Sequence, residues 1–249
     1  MRYYPIANDP DREKRWRERL VDHGFEICTE YDEDALIITL GGDGTVLYAA
    51  RTHADPTILP VRAGDSEGNR AAFDAEQLID ELDALEHGDA TLKTKQYPTL
   101  TAFQDGEELK GEFRALNEIS LHHSSPVLAA TFDVTIRDRG EKHHFEGLIG
   151  DGMLVATPFG STGYYRAITR GTFTEGFGVA FNNIHKPRDI PLYKVLSEQA
   201  VVEIQLLKTR RSSGAVLTRD DDEPYELQAE ERVEIRAADR TVDLVDIVR

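Results

Sequence analysis

One aspartate set among glycines is the strongest chemical signal in this chain, in the run Gly41-Gly42-Asp43-Gly44-Thr45. Glycines at 41, 42 and 44 permit a tight turn and let backbone approach a ligand without side-chain obstruction. Their amides, with the start of a following helix, would form a nest for phosphate. A carboxylate inside such a nest repels phosphate, so Asp43 makes chemical sense if it takes a proton from an acceptor hydroxyl or helps hold a magnesium ion. The plainer alternative is a glycine turn in which Asp43 caps a helix. Two further segments suit a nucleotide. Asn117-Glu118 offers the paired donor and acceptor that buried adenine or ribose requires. Residues 151–164 (DGMLVATPFGSTGY) hold a proline–glycine turn with hydroxyls at an expected helix start, able to turn backbone amides toward a diphosphate. The plainer readings here are a strand-edge polar pair at 117–118, a turn at Asp151-Gly152, a helix cap at Thr162 and a core aromatic at Tyr164. The spaced GxGxxG and GxxxxGK[ST] patterns are absent. His122-His123 and His143-His144 do not form simple metal sites, because neighbours on a strand point to opposite faces, and a surface or loop role is expected.

The elements that must position these residues follow from periodicity. Residues 35–40 (ALIITL) form a continuous apolar run, as in a strand buried on both faces, and the glycine turn and a helical VLYAAR follow directly. Strand, glycine turn and helix together place the turn at the carboxyl edge of an α/β sheet. Helices are expected over 11–23 and 71–85, and a second strand over 57–61. After about residue 92 the pattern becomes a run of strands, at 97–103, 110–123, 127–136, 143–158, 201–207, 215–219, 231–237 and 241–248. Hairpin turns are expected at 104–107 and 138–141. The expected fold is a small α/β domain over 1–92 carrying the glycine turn, then a mostly β, sandwich-like domain over 93–249. No internal repeat or low-complexity linker interrupts the chain.

Composition sets the outer bounds. The chain has 249 residues, 40% hydrophobic and 30% charged, which suits a folded globular protein. Acids outnumber bases 46 to 29, for a net charge of -17, and they are dispersed instead of forming a tail. A dispersed acidic surface suits solubility in high salt, where repulsion is screened, so a halophilic source is expected. The absence of a basic patch argues against nucleic acid as a partner. No apolar run approaches the roughly 20 residues of a membrane helix, and the first twenty residues do not read as a signal peptide. The single cysteine, Cys28, rules out an internal disulfide and is expected in the core. A cytoplasmic location follows.

The GGDGT run resembles that of a kinase superfamily containing NAD kinases, diacylglycerol and sphingosine kinases and 6-phosphofructokinases. Two segments narrow the resemblance. Asn117-Glu118, within ALNEI, resembles the Asn-Glu motif of NAD kinases, and 151–164 is similar to that family's DG-x4-TPTGSTAY segment. The resemblance implies an NAD-kinase-like fold and transfer of phosphoryl from ATP, or polyphosphate, to the 2′-hydroxyl of the adenosine ribose of NAD. In that scheme Asp43 is the general base, and Gly41, Gly42, Gly44 and Thr45 line the nucleotide site. Asn117 and Glu118 bind the adenosine, Asp151 reaches a nucleotide across a subunit contact, and Thr162, Gly163 and Tyr164 line the same pocket. Mg2+ would arrive with ATP and not in a dedicated protein cage. A homodimer or homotetramer is implied, and a halophilic archaeon fits the acidic composition. The alternatives are a GGDGT kinase for another substrate, lipid or sugar, and a non-catalytic NAD(P)-binding paralogue.

The chain departs from the family pattern in four places. Residues 62–70 carry Arg62 and Arg70 where uncharged residues are usual, and the spacing of their glycines is one residue longer. TPTGSTAY becomes TPFGSTGY, and Ala167 replaces a serine. The Asp-Gly turn expected in a late strand pair is Asp220-Asp221-Asp222. The family's closing helix is not seen before the final VDIVR.

Overall fold

A computed structural model of the chain describes residues 1–64, 71–109, 113–125, 127–209 and 214–249. These divide into two compact units, residues 1–97 with 240–249, and residues 98–239. A single cut at 92/93 differs from this division chiefly in the last ten residues, which return to the first unit.

The first unit alternates strand and helix. Its elements are β1 (Arg2–Ile6), α1 (Pro10–Asp22), β2 (Glu26–Ile27), β3 (Leu36–Leu40), α2 (Asp43–Thr52), β4 (Thr57–Arg62), β5 (Phe73–Asp74) and α3 (Leu78–His87). The strands pair in parallel in the order β2-β1-β3-β4, with β5 beside the end of β4. β3 lies between two neighbours and all five of its residues are buried, as its unbroken apolar run predicts. Leu36, Ile38 and Leu40 join a cluster with Leu20 of α1 and Leu78, Ile79 and Leu82 of α3. Ile37 and Thr39, of the opposite parity, face the other side, and α2 packs on β3 and β4. Each such fully buried Leu or Ile contributes about 1.5–3 kcal/mol. The helix expected over 71–85 begins later: Phe73 and Asp74 pair with β4, and Asp74 with Gln77 forms a capping box ahead of α3. Cys28, expected in the core, is only partly buried.

β6 (Thr91–Gln104) begins in the first unit and ends in the second. The second unit continues with β7 (Glu107–Glu108), β8 (Arg114–Ala115), β9 (Glu118–His123), β10 (Ala130–Asp138), β11 (Glu141–Gly150), β12 (Gly152–Ala156), α4 (Tyr164–Thr169), β13 (Phe177–Asn182), β14 (Tyr193–Leu196), β15 (Val201–Leu206), β16 (Ala215–Arg219), β17 (Tyr225–Leu227) and β18 (Arg232–Val248). One antiparallel sheet runs β14-β13-β12-β9-β16-β17, and facing it lie β11-β10-β15 with the first part of β18. Alternate residues of both sheets interdigitate in one apolar core, among them Ile119, Leu121, Phe132, Val155, Phe181, Ile204, Leu217 and Ile235. The late residues of β18, Asp243 and Leu244, pair with Thr57 and Ile58 of β4 within the first unit.

Both expected hairpin turns form, with left-handed pairs at Asp105-Gly106 and Arg139-Gly140. The run 143–158, read as one strand, is two: β11 and β12 belong to different sheets and meet at Asp151. The candidates at 231–237 and 241–248 are one strand, β18. The run 110–123 is broken at Leu116-Asn117, and its residues 110–112 lie outside the described residues. β1, β13, β14 and β17 are strands that the periodicity did not reveal.

Candidate active site

One group of candidate residues, in the first unit, is built on β3 and α2. Gly41 follows the last residue of β3, and its N–H donates to the Val61 carbonyl of the next strand (3.0 Å). A Cβ at 41 would lie 2.2 Å from Thr45 Oγ1, so glycine is required there by closeness, and not by a left-handed backbone. Gly42 is the N-cap of α2, and its carbonyl accepts from Thr45 N–H (3.0 Å). Asp43 is therefore not the cap. It is the first helical residue, half-buried, with its carboxylate at the positive end of the helix dipole. Thr45 is buried beneath the turn. Arg62, one of the unusual basic residues, pairs with Asp74 at 3.5 Å, an ion pair of the surface kind. Arg70 and the rest of 65–70 lie outside the described residues.

Another group, in the second unit, centres on the segment Leu116-Asn117-Glu118, where the chain leaves β8 and enters β9. Asp220, in the turn after β16, accepts hydrogen bonds from Leu116 N–H (2.9 Å), Asn117 N–H (2.7 Å) and Glu118 N–H (3.2 Å). Its own N–H donates to the Glu118 carbonyl (3.0 Å). On the other side, Thr157 donates through Oγ1 to the Leu116 carbonyl (2.5 Å) and through N–H to the Asn117 carbonyl (2.9 Å). Glu118 Oε2 is buried and has no hydrogen-bond partner among the described residues. Burial, then the nearby Asp220 charge, raises the Glu118 carboxyl to about 8. Burial also raises Asp220, to about 6, but its three N–H donors oppose this by favouring the carboxylate. Asp220 thus ionises first, and Glu118 is largely protonated at neutral pH.

The TPFGST turn is mostly self-satisfied. Thr157 Oγ1 accepts from Phe159 N–H (3.1 Å) and Gly160 N–H (3.2 Å), and Gly163 N–H donates to the Gly160 carbonyl (2.9 Å). These three amides already have acceptors, so the expectation that this turn offers its backbone to a diphosphate does not extend to them. Gly160 presses on Asn117: a Cβ there would lie 2.1 Å from the Asn117 carbonyl oxygen. The N-cap of α4 is Gly163, not Thr162, and the core aromatic is Tyr165, not Tyr164. Thr162 and Gly163 are exposed. Tyr164 is half-buried, accepts a hydrogen bond from Asn182 Nδ2 (2.8 Å) and stacks on His122 at 5.9 Å.

One face of β9 is therefore polar. Glu118, Ser120 and His122 alternate with the core residues Ile119 and Leu121. Ser120 Oγ bonds His122 Nε2 (3.0 Å) and Thr218 Oγ1 (2.8 Å). Burial, helped by His123 and opposed by Asp151, lowers the His122 pKa. The 122–123 pair thus lies on a strand, partly buried, and not on the surface or in a loop. Asp151, between β11 and β12, accepts from Asn183 Nδ2 (3.1 Å) and gives its carbonyl to His123 N–H (3.2 Å). Asn117, Glu118, Asp151 and Tyr164 all belong to the second unit, whereas Asp43 and its glycines belong to the first. Sequence reasoning missed Asp220 and Thr157 as builders of the Asn117-Glu118 segment; the only signal for Asp220 was its place in an unusual acidic run. Among the described residues no group of three His, Cys, Asp or Glu converges to hold a metal. No helix among them is long and apolar enough to cross a membrane.

Residues 4–90 match the ATP-NAD kinase N-terminal domain. NAD kinase 2 of Bacillus licheniformis is 31% identical over 173 residues, which is 67% of this chain and 60% of that protein. The chain thus aligns with under two thirds of that relative's length. NAD kinase 2 of Listeria monocytogenes is 25% identical over 244 residues, 94% of this chain and 87% of the relative. Among solved structures, yeast NADH kinase complexed with NADH superposes with a TM-score of 0.79 at 14% identity, over 99% of this chain and 83% of that one. An NAD kinase from Archaeoglobus fulgidus in complex with ATP gives 0.70 at 20% identity, over 98% and 93%. At these identities the two structures establish a shared fold.

Proposed function

We infer that this chain, which belongs to the NAD kinase family, transfers a phosphoryl group to the 2′-hydroxyl of the adenosine ribose of NAD, giving NADP. ATP is the proposed donor, with polyphosphate as the other candidate. The observation that carries the reading is Asp43, a carboxylate beside the glycine turn at the first position of α2, with the capping position left to Gly42.

Asp43 takes the proton of the 2′-hydroxyl as its oxygen attacks the terminal phosphorus and the donor's bridging oxygen leaves. Gly41, Gly42 and Gly44 keep the turn clear of side chains, and Thr45 supports it from beneath. Asn117 and Glu118 hold the adenosine through their side chains. A protonated Glu118 presents both a donor and an acceptor, as does the Asn117 amide. Thr162, Gly163 and Tyr164 line the nucleotide pocket, and Asp151 reaches a nucleotide from a neighbouring copy in a homodimer or homotetramer. Mg2+ travels with the donor's phosphates and supplies neutralisation of their charge. The protein's own share is positioning and proton removal. A halophilic source fits the acid excess, and a cytoplasmic location fits the single cysteine.

The test is incubation of the purified chain with NAD, ATP and Mg2+, at low and at high salt, with NADP read by an NADP-specific dehydrogenase. Parallel reactions contain polyphosphate as donor and NADH, a lipid or a sugar as acceptor. NADP formation from NAD at either salt is the expected result. Phosphorylation of a lipid or sugar alone would overturn the substrate, and NAD binding without turnover at either salt would make the chain a non-catalytic NAD(P)-binding relative.

A further inference from the structure

All six backbone polar groups of Leu116, Asn117 and Glu118 are taken up by two residues distant in sequence. Asp220 accepts the three N–H groups and donates to the Glu118 carbonyl, and Thr157 donates to the carbonyls of Leu116 and Asn117. The segment therefore has no main-chain N–H left to donate to a ligand, and any donor it offers comes from its side chains. Of those side chains, Glu118 presents a buried oxygen, Oε2, that has no hydrogen-bond partner among the described residues. Two of these bonds, Thr157 N–H to the Asn117 carbonyl and Asp220 N–H to the Glu118 carbonyl, continue the ladders of β9 with β12 and β16. The other four, three to the Asp220 carboxylate and one from the Thr157 hydroxyl, come from side chains and are additional to the ladders. The clasp is itself anchored. Asp220 adopts a left-handed backbone, Asp222 is held by Arg219 in a pair at 2.6 Å, and Arg219 lies over the Phe113 ring at 5.1 Å.

We propose that Asp220 is a positioning residue for nucleotide binding, fixing Asn117 and Glu118 in the orientation that receives the adenosine. This rests on the kinase reading above. Three charge-assisted bonds from one carboxylate fix the direction of both side chains, and no neutral residue of that size can accept all three. The acidic run that departs from the family's Asp-Gly turn thus keeps the one residue that performs this work, Asp220. Asp221 is the exposed neighbour and makes none of these bonds.

The experiment compares wild type, Asp220→Ala, Asp220→Asn and Asp221→Asn for NADP formation, for NAD binding by calorimetry and for thermal unfolding. Asp220→Ala is expected to raise the KM for NAD about tenfold or more, with kcat and the KM for ATP within about threefold of wild type. Asp220→Asn keeps one accepting oxygen but turns an NH2 group toward a backbone donor, so its KM for NAD should lie between the two. Asp221→Asn removes the same charge and should leave the KM for NAD within about twofold. A folded Asp220→Ala with wild-type KM and Kd for NAD overturns the proposal, as does a loss confined to kcat. If the alanine variant does not fold, a wild-type KM for NAD in Asp220→Asn overturns it instead. Wild type that binds NAD but makes no NADP refutes the kinase reading while calorimetry still decides the role of Asp220, and no NAD binding by any of the proteins refutes both.

Discussion

Glu118→Gln is the substitution whose consequence can be worked furthest from the structure. The Glu118 carboxyl is raised from 4.5 to about 8 because its charged form loses hydration and faces the Asp220 carboxylate. Between those values the native chain holds a proton that the unfolded chain has released. Stability therefore falls as pH rises through this interval; the penalty is absent below the ordinary carboxylate range and complete above about 8. The full displacement sets a ceiling of ~5 kcal/mol, and screening with local relaxation reduces the expected cost to ~1–3 kcal/mol. Glutamine keeps the shape and the donor–acceptor pair of the protonated acid but does not titrate. Asp220 titrates in both proteins, so its contribution cancels in the comparison. Chemical denaturation at fixed salt, from pH 4.5 to 9, should show the variant gaining on wild type by ~1–3 kcal/mol across that range. The KM for NAD should rise above pH 8 in wild type and stay level in the variant. A stability difference that is flat, or that shrinks as pH rises, would show that Glu118 ionises normally and would refute the account of its pocket.

Two tight glycines give further expectations. Gly160→Ala places a methyl 2.1 Å from the Asn117 carbonyl oxygen and 2.5 Å from its carbon, so the backbone must shift at a cost of ~1–3 kcal/mol. Thermal unfolding should register the loss, and the KM for NAD should rise more than the KM for ATP. Gly41→Ala meets the Thr45 hydroxyl at 2.2 Å, and thermal scans should show destabilisation that Thr45→Ala partly relieves. No relief would place the strain elsewhere in the turn.

The parts of the fold legible in the sequence are those whose signal is local. β3 is a pure apolar run, the Asp105-Gly106 and Arg139-Gly140 turns have the residues such turns need, and GGDGT follows its strand directly. Parity on β9 was legible in the same way, since Ile119 and Leu121 alternate with polar neighbours. What failed was non-local. The helix over 71–85 lost its first residues because Phe73 and Asp74 gained a partner in β4. β1 carries proline and arginine and β13 carries glycine, so neither announces itself as a strand, although both are fixed by their neighbours. The same limit applies to the site. Asn117 and Glu118 could be picked out by type, but Asp220 acts on them from 103 and 102 positions away. Thr157 lies inside a segment whose residue types suit phosphate binding, whereas its hydroxyl and amide brace Leu116 and Asn117.

The role proposed for Asp43 is proton transfer, and not the binding of NAD. Asp43→Asn keeps the size and the place at the start of α2 but cannot take the proton. The decisive measurement is kcat for NADP formation beside the calorimetric Kd for NAD, in this variant and in wild type. The account predicts loss of kcat by about a thousandfold or more, with Kd within about threefold of wild type. Turnover retained within about tenfold, with NAD bound normally, would contradict it.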